Sequence, residues 1–492
     1  MDKQNDSFQP QFAGVTRRSL LRGALAISAV TAAPSIATAH SLKQESASAD
    51  EAAGFTRKLA KFVSSIPSAS IPAEQLEYAK IIFLDTIGCA VASSSEPLVT
   101  RLLAFSDKIG GEEQSRMLIA NKSSRSATHA ALIGGAAAHA MDFDDTTSRF
   151  WGHPSASIVP SLMAIAEMKG STGREILDAY LIGLEASFVV ADSVGEAMYA
   201  SGFHNTSSLG IIASGAACAR LLGLDQAGAS DAIAVAATQA FGLKRSFGTM
   251  CKPFHAGRAA EGAVTAALLA EDGFTGADDI FEGPNGLFEA FGGEADVMPL
   301  ASLGKKWGVY DVLQKAHAAC QWTHSPINAA EALKQEHKID FKNIKSVEVL
   351  ASEIALSTAD VVVPETGLKA KFSVPYGVAT ALVTGKTGLA AFTDDAVKNT
   401  EILDLISKIT TVAHPKAEKF EAKVTITMNS GETYEAFNDV FGQFPSLEDK
   451  RKVAMEKYLE NTAPILGEAK VKRVADVIMR LETAGKASEI LD

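Results

Sequence analysis

The chain is 492 residues long, enough for two or three domains around a large core. It is 47% hydrophobic but only 7% aromatic, with 38 glycines and much alanine, a composition that favours closely packed helices. Its formal net charge of −12 excludes a general nucleic-acid binder, which needs a basic surface, so an acidic ligand has to be met by a few local cations.

Residues 1–15 are polar and unpatterned. Thr16-Arg17-Arg18-Ser19-Leu20-Leu21-Arg22 then precedes a mild apolar run from Gly23 to Ala39 that closes on Ala37-Thr38-Ala39. Twin arginines, a modest apolar centre and a small-x-small exit read as a twin-arginine export signal over residues 1–39, giving a periplasmic or secreted protein. Pro34 and the alanines make the run a poor membrane span, so no stable membrane insertion is expected. The four cysteines, Cys89, Cys218, Cys251 and Cys320, have no metal-like spacing, and Cys89 and Cys218 sit in apolar runs typical of buried free thiols.

Residues 40–53 read as a linker. Helices are expected over Phe55 to Ile66 and Pro72 to Ala92, the second with Pro72 near its first turn. A run of small residues, Ala127 to Met141, leads into Asp142-Phe-Asp-Asp-Thr-Thr-Ser-Arg-Phe-Trp-Gly-His-Pro-Ser155, where three carboxylates precede Thr146, a turn-rich passage and His153. Acids at the end of so packed a helix point to one wall of a catalytic pocket. Three segments each set a cation or imidazole before a helix of small residues. They are His153-Pro154 before Ala156 to Met168, His204 before Leu209 to Leu222, and Lys252-Pro-Phe-His255-Ala-Gly-Arg258 before Ala259 to Glu271. Helix amino termini attract anions, so three such ends can converge on one polycarboxylate, although each alone also fits a cap, and Arg258 also fits a structural ion pair.

After Trp307 the character changes. Val347 to Ser352 and Val424 to Met428 read as strands, the latter turning through Asn429-Ser-Gly-Glu432 into Thr433 to Ala436. Helices are expected at Ser325 to Gln335, Val374 to Thr384 and Val397 to Ile409, and from Leu447 onward. The fold expected is mainly α: a large all-helical domain formed by both ends of the chain (50–308 and 443–492), with an inserted smaller α+β lid domain (309–442). Lys315, His317, Cys320 and His324, in Lys315-Ala-His-Ala-Ala-Cys-Gln-Trp-Thr-His324, are placed to face the junction between the two. Tyr376 ends a later apolar approach.

No dinucleotide or Walker loop, Gly-x-Ser-x-Gly elbow or His-Glu-x-x-His motif occurs, and the acidic cluster lacks the spacing of a calcium loop; neither a cofactor nor a required metal is expected. The Asp142-to-Ser155 stretch, Gly202-Phe-His204, Gly248-Thr-Met-Cys-Lys252-Pro-Phe-His255-Ala-Gly-Arg-Ala-Ala and Lys315…Thr323-His324 resemble the MmgE/PrpD family across roughly residues 55–465. That family includes 2-methylcitrate dehydratase, cis-aconitate decarboxylase and an iminodisuccinate epimerase. The resemblance implies a homodimer and metal-independent chemistry on a di- or tricarboxylate, in a pocket holding Asp142, Thr146, His153, His204, Lys252, Lys315 and Tyr376. The chain departs from the family at His317-Ala318-Ala319-Cys320, where a Tyr-Pro-Cys-Cys-like run is usual, and in a Thr146-to-His153 loop one residue longer.

The reaction expected is proton abstraction beside a carboxylate and β-elimination of water, with Lys252 and Lys315 clamping substrate carboxylates. His153 or His204 transfers the proton, Asp142 holds a histidine tautomer and Tyr376 donates to the leaving group or to a carboxylate. Decarboxylation or epimerisation of a related polycarboxylate uses the same groups. An exported binding protein for acidic metabolites is the reading of another class.

Overall fold

The computed structural model describes residues 54–120, 123–293, 299–415, 417–442 and 445–492. The stretch read as an export signal and the whole linker, residues 40–53, lie outside the described residues. Helix makes up 61% of the chain and strand 9%, so the protein is mainly α with a smaller α+β part. Among the described residues no single helix is long and apolar enough to cross a membrane.

Two apolar cores account for the architecture. The first is built by α1 (Phe55–Ser65), α2 (Ala73–Ala92), α3 (Pro97–Ile109), α4 (Ala127–His139), α5 (Ser155–Lys169), α6 (Gly173–Ala200), α7 (Asn205–Ser208), α8 (Gly210–Leu221), α9 (Gln226–Ala237) and α10 (Cys251–Glu271). Residues from the far end of the chain, Ala454, Tyr458 and Val471 among them, complete the same core. The second core gathers residues 318–426 around a four-stranded sheet. With β1 (Ile344–Ala351), β2 (Ile409–Ala413), β3 (Glu421–Met428) and β4 (Thr433–Asp439), the strand order is β2-β1-β3-β4, parallel between β1 and β2 and antiparallel elsewhere. Alternation along β3 buries Ala422, Val424 and Ile426 against α11 (His324–His337), which in turn packs on α12 (Val374–Thr384). Phe143 and Tyr199 leave the first part of the chain to pack into the second core, so the seam between the cores runs beside Asp142.

The seam is positioned by one tight helix crossing. A Cβ on Gly257 of α10 would lie 2.3 Å from the carbonyl oxygen of Leu132 in α4, and one on Gly135 would lie 2.9 Å from the Gly257 Cα. Only hydrogen fits at either contact, and the two backbones therefore touch. His139 lies one turn beyond Gly135, and Lys252 lies a turn and a half before Gly257. The crossing thus brings both to the same place.

Three element readings are corrected. α10 begins at Cys251, not Ala259, so Lys252, His255 and Arg258 lie within the helix. Pro253 does not prevent this, because a first-turn residue has no intrahelical acceptor for the N–H that proline lacks. The helix expected at Leu209 to Leu222 is α8, Gly210–Leu221, but the segment ahead of it, read as its approach, forms a short helix of its own, α7. The stretch read as helix from Val397 to Ile409 instead splits at Asn399, whose side chain accepts from the N–H groups of Glu401 and Ile402 and restarts a short helix at Thr400; Ile409 already belongs to strand β2.

Gly257→Ala is expected to cost at least about 1–3 kcal/mol, since the clash is with backbone that cannot rotate away. The measurement is a denaturant midpoint. An unchanged midpoint would show that the crossing is looser than described.

Candidate active site

The small-residue helix α4 ends at His139, and the chain then turns through Asp142, which sits in the left-handed region at φ 51. An aspartate tolerates that conformation better than most residues, and strain of this kind gathers at functional loops. The loop beyond it is tied to the approach of the second core by paired backbone bonds, Thr146 N–H to Leu313 O (2.9 Å) and Leu313 N–H to Thr146 O (2.8 Å). That pairing delivers Lys315.

Asp142 is buried and takes an ammonium on each oxygen. Lys252 Nζ donates to Oδ2 at 2.9 Å and Lys315 Nζ to Oδ1 at 2.5 Å. Burial alone would raise its pKa, but Lys252 and Lys315 outweigh burial and hold the carboxyl well below the usual range. Lys315 also donates to the carbonyls of Asp142 (2.9 Å) and Ala319 (2.8 Å), which uses all three of its protons. Lys252 donates to Asp142 and lies 2.9 Å from His139 Nε2, which leaves one proton for the cleft that it lines.

A second carboxylate orders the imidazoles. His139 Nδ1 lies 2.9 Å from both oxygens of Asp144. With a lysine on its other nitrogen, His139 is neutral and protonated on Nδ1, and burial pushes its pKa down to about 3. His153 lies with Nδ1 3.3 Å from Asp144 and Nε2 3.6 Å from Asp142, and its Nδ1 makes no hydrogen bond. Its backbone N–H donates to Thr206 Oγ1 at 3.1 Å. His204 stacks on His139 with ring centres 5.7 Å apart, and its Nδ1 meets His255 Nδ1 at 3.2 Å. Burial lowers the pKa of His153 and, with Lys252, drives His204 far down and His255 to about 4. Asp145, by contrast, is raised well above the carboxylate range by burial and by Asp85 and Asp144, and it accepts from Ser155 Oγ. It braces the start of α5.

The cleft beside this cluster is small, about 40 Å³, and Thr146, His153, His204, Lys252 and Cys320 all line it. The amino ends of α5, α7 and α10 therefore meet at one cavity. The Cys320 thiol is pushed up to about 11 by burial and Asp142, so it stands there as a thiol.

Other expected site residues lie elsewhere. Tyr376 is buried in the second core and donates to the Ala391 carbonyl at 2.7 Å, a satisfied core tyrosine. Arg258 falls on the exposed side of α10 and pairs with Glu261. His317 bonds Thr387 Oγ1 (2.6 Å) and Asn328 Oδ1 (2.8 Å), while His324 reaches the Ala319 carbonyl at 3.3 Å; both brace the Lys315 segment from behind. Lys315 holds Asp142 and has no donor left for a substrate. The tautomer-holding role assigned to Asp142 belongs to Asp144. His139 escaped the sequence reading, although its position three residues before Asp142, at the helix end, was the available signal. The aromatic lining of Trp151, Tyr199, Phe247, Trp322 and Phe420 was missed too, because five separated segments supply it.

Donor atoms of His139, Asp142, Asp144 and His153 all lie within 4.8 Å of one another, a set that a divalent ion can use. The two lysines already balance the two ionised carboxylates, and a dication would leave two uncompensated positive charges in a buried site. The donor set therefore fits a metal poorly.

Family models match the chain twice, the MmgE/PrpD N-terminal domain over residues 57–299 and the MmgE/PrpD C-terminal domain over residues 317–483. The chain belongs to the MmgE/PrpD family. It is 27% identical over 469 residues to a cis-aconitate decarboxylase-like protein, oryM, of Aspergillus oryzae, covering 89% of this chain and 96% of that one. Cis-aconitate decarboxylase of Aspergillus terreus is 26% identical over 496 residues (92% and 98% covered), and that of Mus musculus 28% over 380 (72% and 76%).

Two outcomes are expected. Unfolded histidines bind protons near pH 6.5, whereas His139 and His255 stay neutral in the fold down to about 3 and 4. Their contribution to stability is therefore full above about pH 6.5 and is lost as pH falls below it. Guanidinium midpoints should drop between pH 7.5 and 4.5; a flat or rising profile would mean that the imidazoles are charged. Dialysis against EDTA should leave turnover intact, and loss restored by a divalent ion would reverse the reading of the donor set.

Proposed function

We propose that this protein is a lyase acting on a small carboxylic acid, and that it is a carboxy-lyase. The observation that carries the reading is one ammonium, Lys252, presenting a free proton to a small cleft lined by His153 and His204, whose pKa values burial lowers. β-Elimination of water needs a base near neutral pH as well as an acid, and burial makes both cleft imidazoles weaker bases than a free histidine, His204 most of all. Decarboxylation needs no base. The C–CO₂⁻ bond breaks, its electron pair stays on carbon conjugated to a remaining carboxyl or double bond, CO₂ departs, and Lys252 supplies the proton that fills the vacated position.

Each chain group has a task in this scheme. Asp142 pairs with Lys252 and aims it, and solvent returns the proton to the lysine after turnover. Asp144 fixes the His139 tautomer so that Nε2 accepts from Lys252 instead of competing for the substrate. His153 and His204 flank the reacting carbon and stabilise developing charge at hydrogen-bond range. The decarboxylase names of the relatives support the same reaction class.

Lys252→Ala should reduce turnover by about 10²–10⁴-fold, the usual worth of a positioned proton donor, while circular dichroism stays native. Incubation of the enzyme with a panel of unsaturated di- and tricarboxylic acids in deuterated water, followed by NMR, should show CO₂ loss with one deuteron gained at carbon. Hydration or dehydration products without CO₂ would turn the assignment to a hydro-lyase, and near-normal turnover by Lys252→Ala would remove this pocket altogether.

A further inference from the structure

A second cavity, of about 670 Å³, lies along the seam and shares no lining residue with the cleft. The first core contributes the start of α3, Ala140 and Met141 just beyond α4, and the start of α10. The second core contributes residues from 366–371 and 389–394. Most of the wall is apolar, with Leu98, Met141, Leu389 and Phe392 in it, yet charges of both signs line it as well.

The positive charge is Lys371. It is buried, and its Nζ donates to the carbonyls of Met141 (2.6 Å) and Ala318 (2.7 Å), which fixes the ammonium and leaves one proton. The Phe392 ring, part of the cavity wall, has its centre 5.2 Å from that nitrogen. Burial lowers the pKa of Lys371 to about 8, so it keeps its charge at neutral pH. The negative charges are Glu96 and Asp394, nearer the rim, where Pro97 and Thr393 are exposed. Glu96 is half-buried and precedes α3 without capping it, and its carboxylate makes no hydrogen bond or ion pair among the described residues. Burial raises its pKa while Lys371 draws it down, so the two groups feel each other's charge although no ion pair joins them. Asp394 accepts from the Gly367 N–H at 2.8 Å, which holds it in place.

A cation and an anion that line one cavity without touching are matched by a ligand that carries both charges. A ligand with only negative charge would meet Glu96 and Asp394, and one with only positive charge would leave the Lys371 proton unused. We propose that this cavity is a second ligand site, taking an α-amino acid with an apolar side chain. Its carboxylate sits on Lys371, its ammonium on Glu96 with Asp394 close by, and its side chain against Leu98, Met141, Leu389 and Phe392. An α-amino acid carries both charges on one carbon, so one small molecule reaches both ends. The volume falls within the range of about 300–1,000 Å³ usual for small-molecule sites, and the fixed ammonium is preorganised for its partner.

The test is calorimetry on the full chain with leucine and three relatives of it. Isocaproate lacks the ammonium, isoamylamine lacks the carboxylate and glycine lacks the side chain. Leucine should bind saturably and each of the others at least about tenfold more weakly, for want of one charge-assisted contact or of the buried isobutyl group. Glu96→Gln should cut the preference for leucine over isocaproate by about fivefold or more and leave isocaproate within about twofold. Lys371 stays unchanged in the test because it also holds the Met141 carbonyl beside Asp142, and isoamylamine probes its contact from the ligand's side. Tricarballylate, an unreactive tricarboxylate, should not displace leucine, since cleft and cavity have no residue in common. No saturable heat with leucine, an analogue that binds as tightly, a preference untouched by Glu96→Gln, or displacement by tricarballylate overturns the proposal. None of these outcomes depends on turnover, so this site and the lyase reading fail separately.

Discussion

Everything at the seam depends on one buried carboxylate. Asp142 binds Lys252, 110 residues onward, and Lys315, 173 residues onward, so that a single side chain registers the first core against the second. A buried charge that loses all its partners is destabilising by several kcal/mol. Exchange of Lys252 for a neutral residue leaves Asp142 its bonds to Lys315, whereas neutralising Asp142 takes the carboxylate from both lysines. The two lysines are nevertheless unequal. Lys315 gives every proton to structure, whereas Lys252 keeps one proton for the cleft.

The same economy governs the imidazoles. Histidine is usually the residue that changes charge near neutral pH, yet burial and Lys252 hold the site histidines in the neutral form. Asp144 orients His139, and Asp145, raised instead of lowered by burial and its acidic neighbours, accepts from Ser155. Three neighbouring aspartates thus occupy three electrostatic states because each faces a different partner.

Much of this was legible in the sequence, and the pattern of what was not is informative. Asp142, Thr146, His153, His204 and Lys252 stood in short local motifs at the mouths of apolar helices, where order along the chain fixes position in space. The mainly-α character followed from alanine-rich runs, and the hairpin of β3 and β4 from its Asn-Ser-Gly-Glu turn. Tyr376 and Arg258 could not be placed the same way. Both sit on helices, and only packing decides which side of a helix meets the seam. Asp142 and Asp144 exchanged roles for a similar reason, since a left-handed turn at Asp142 redirects the side chains that follow it. The aromatic lining was invisible because Trp151, Tyr199, Trp322 and Phe420 come from four distant segments, and nothing local marks them as neighbours.

The acidic loop is fastened from behind by α13 (Leu447–Leu466). Its Lys457 donates to the Phe143 carbonyl and pairs with buried Asp85 at 2.8 Å, and its Lys450 reaches the Val312 carbonyl at 2.8 Å, just ahead of Lys315. The loop is thus fastened by a side chain 314 residues further along the chain. The alanine helices and the sheet between them can pack while the Asp142 loop still lacks its backing, and a cut anywhere between Phe143 and Lys457 would leave the loop and its fastening on separate pieces.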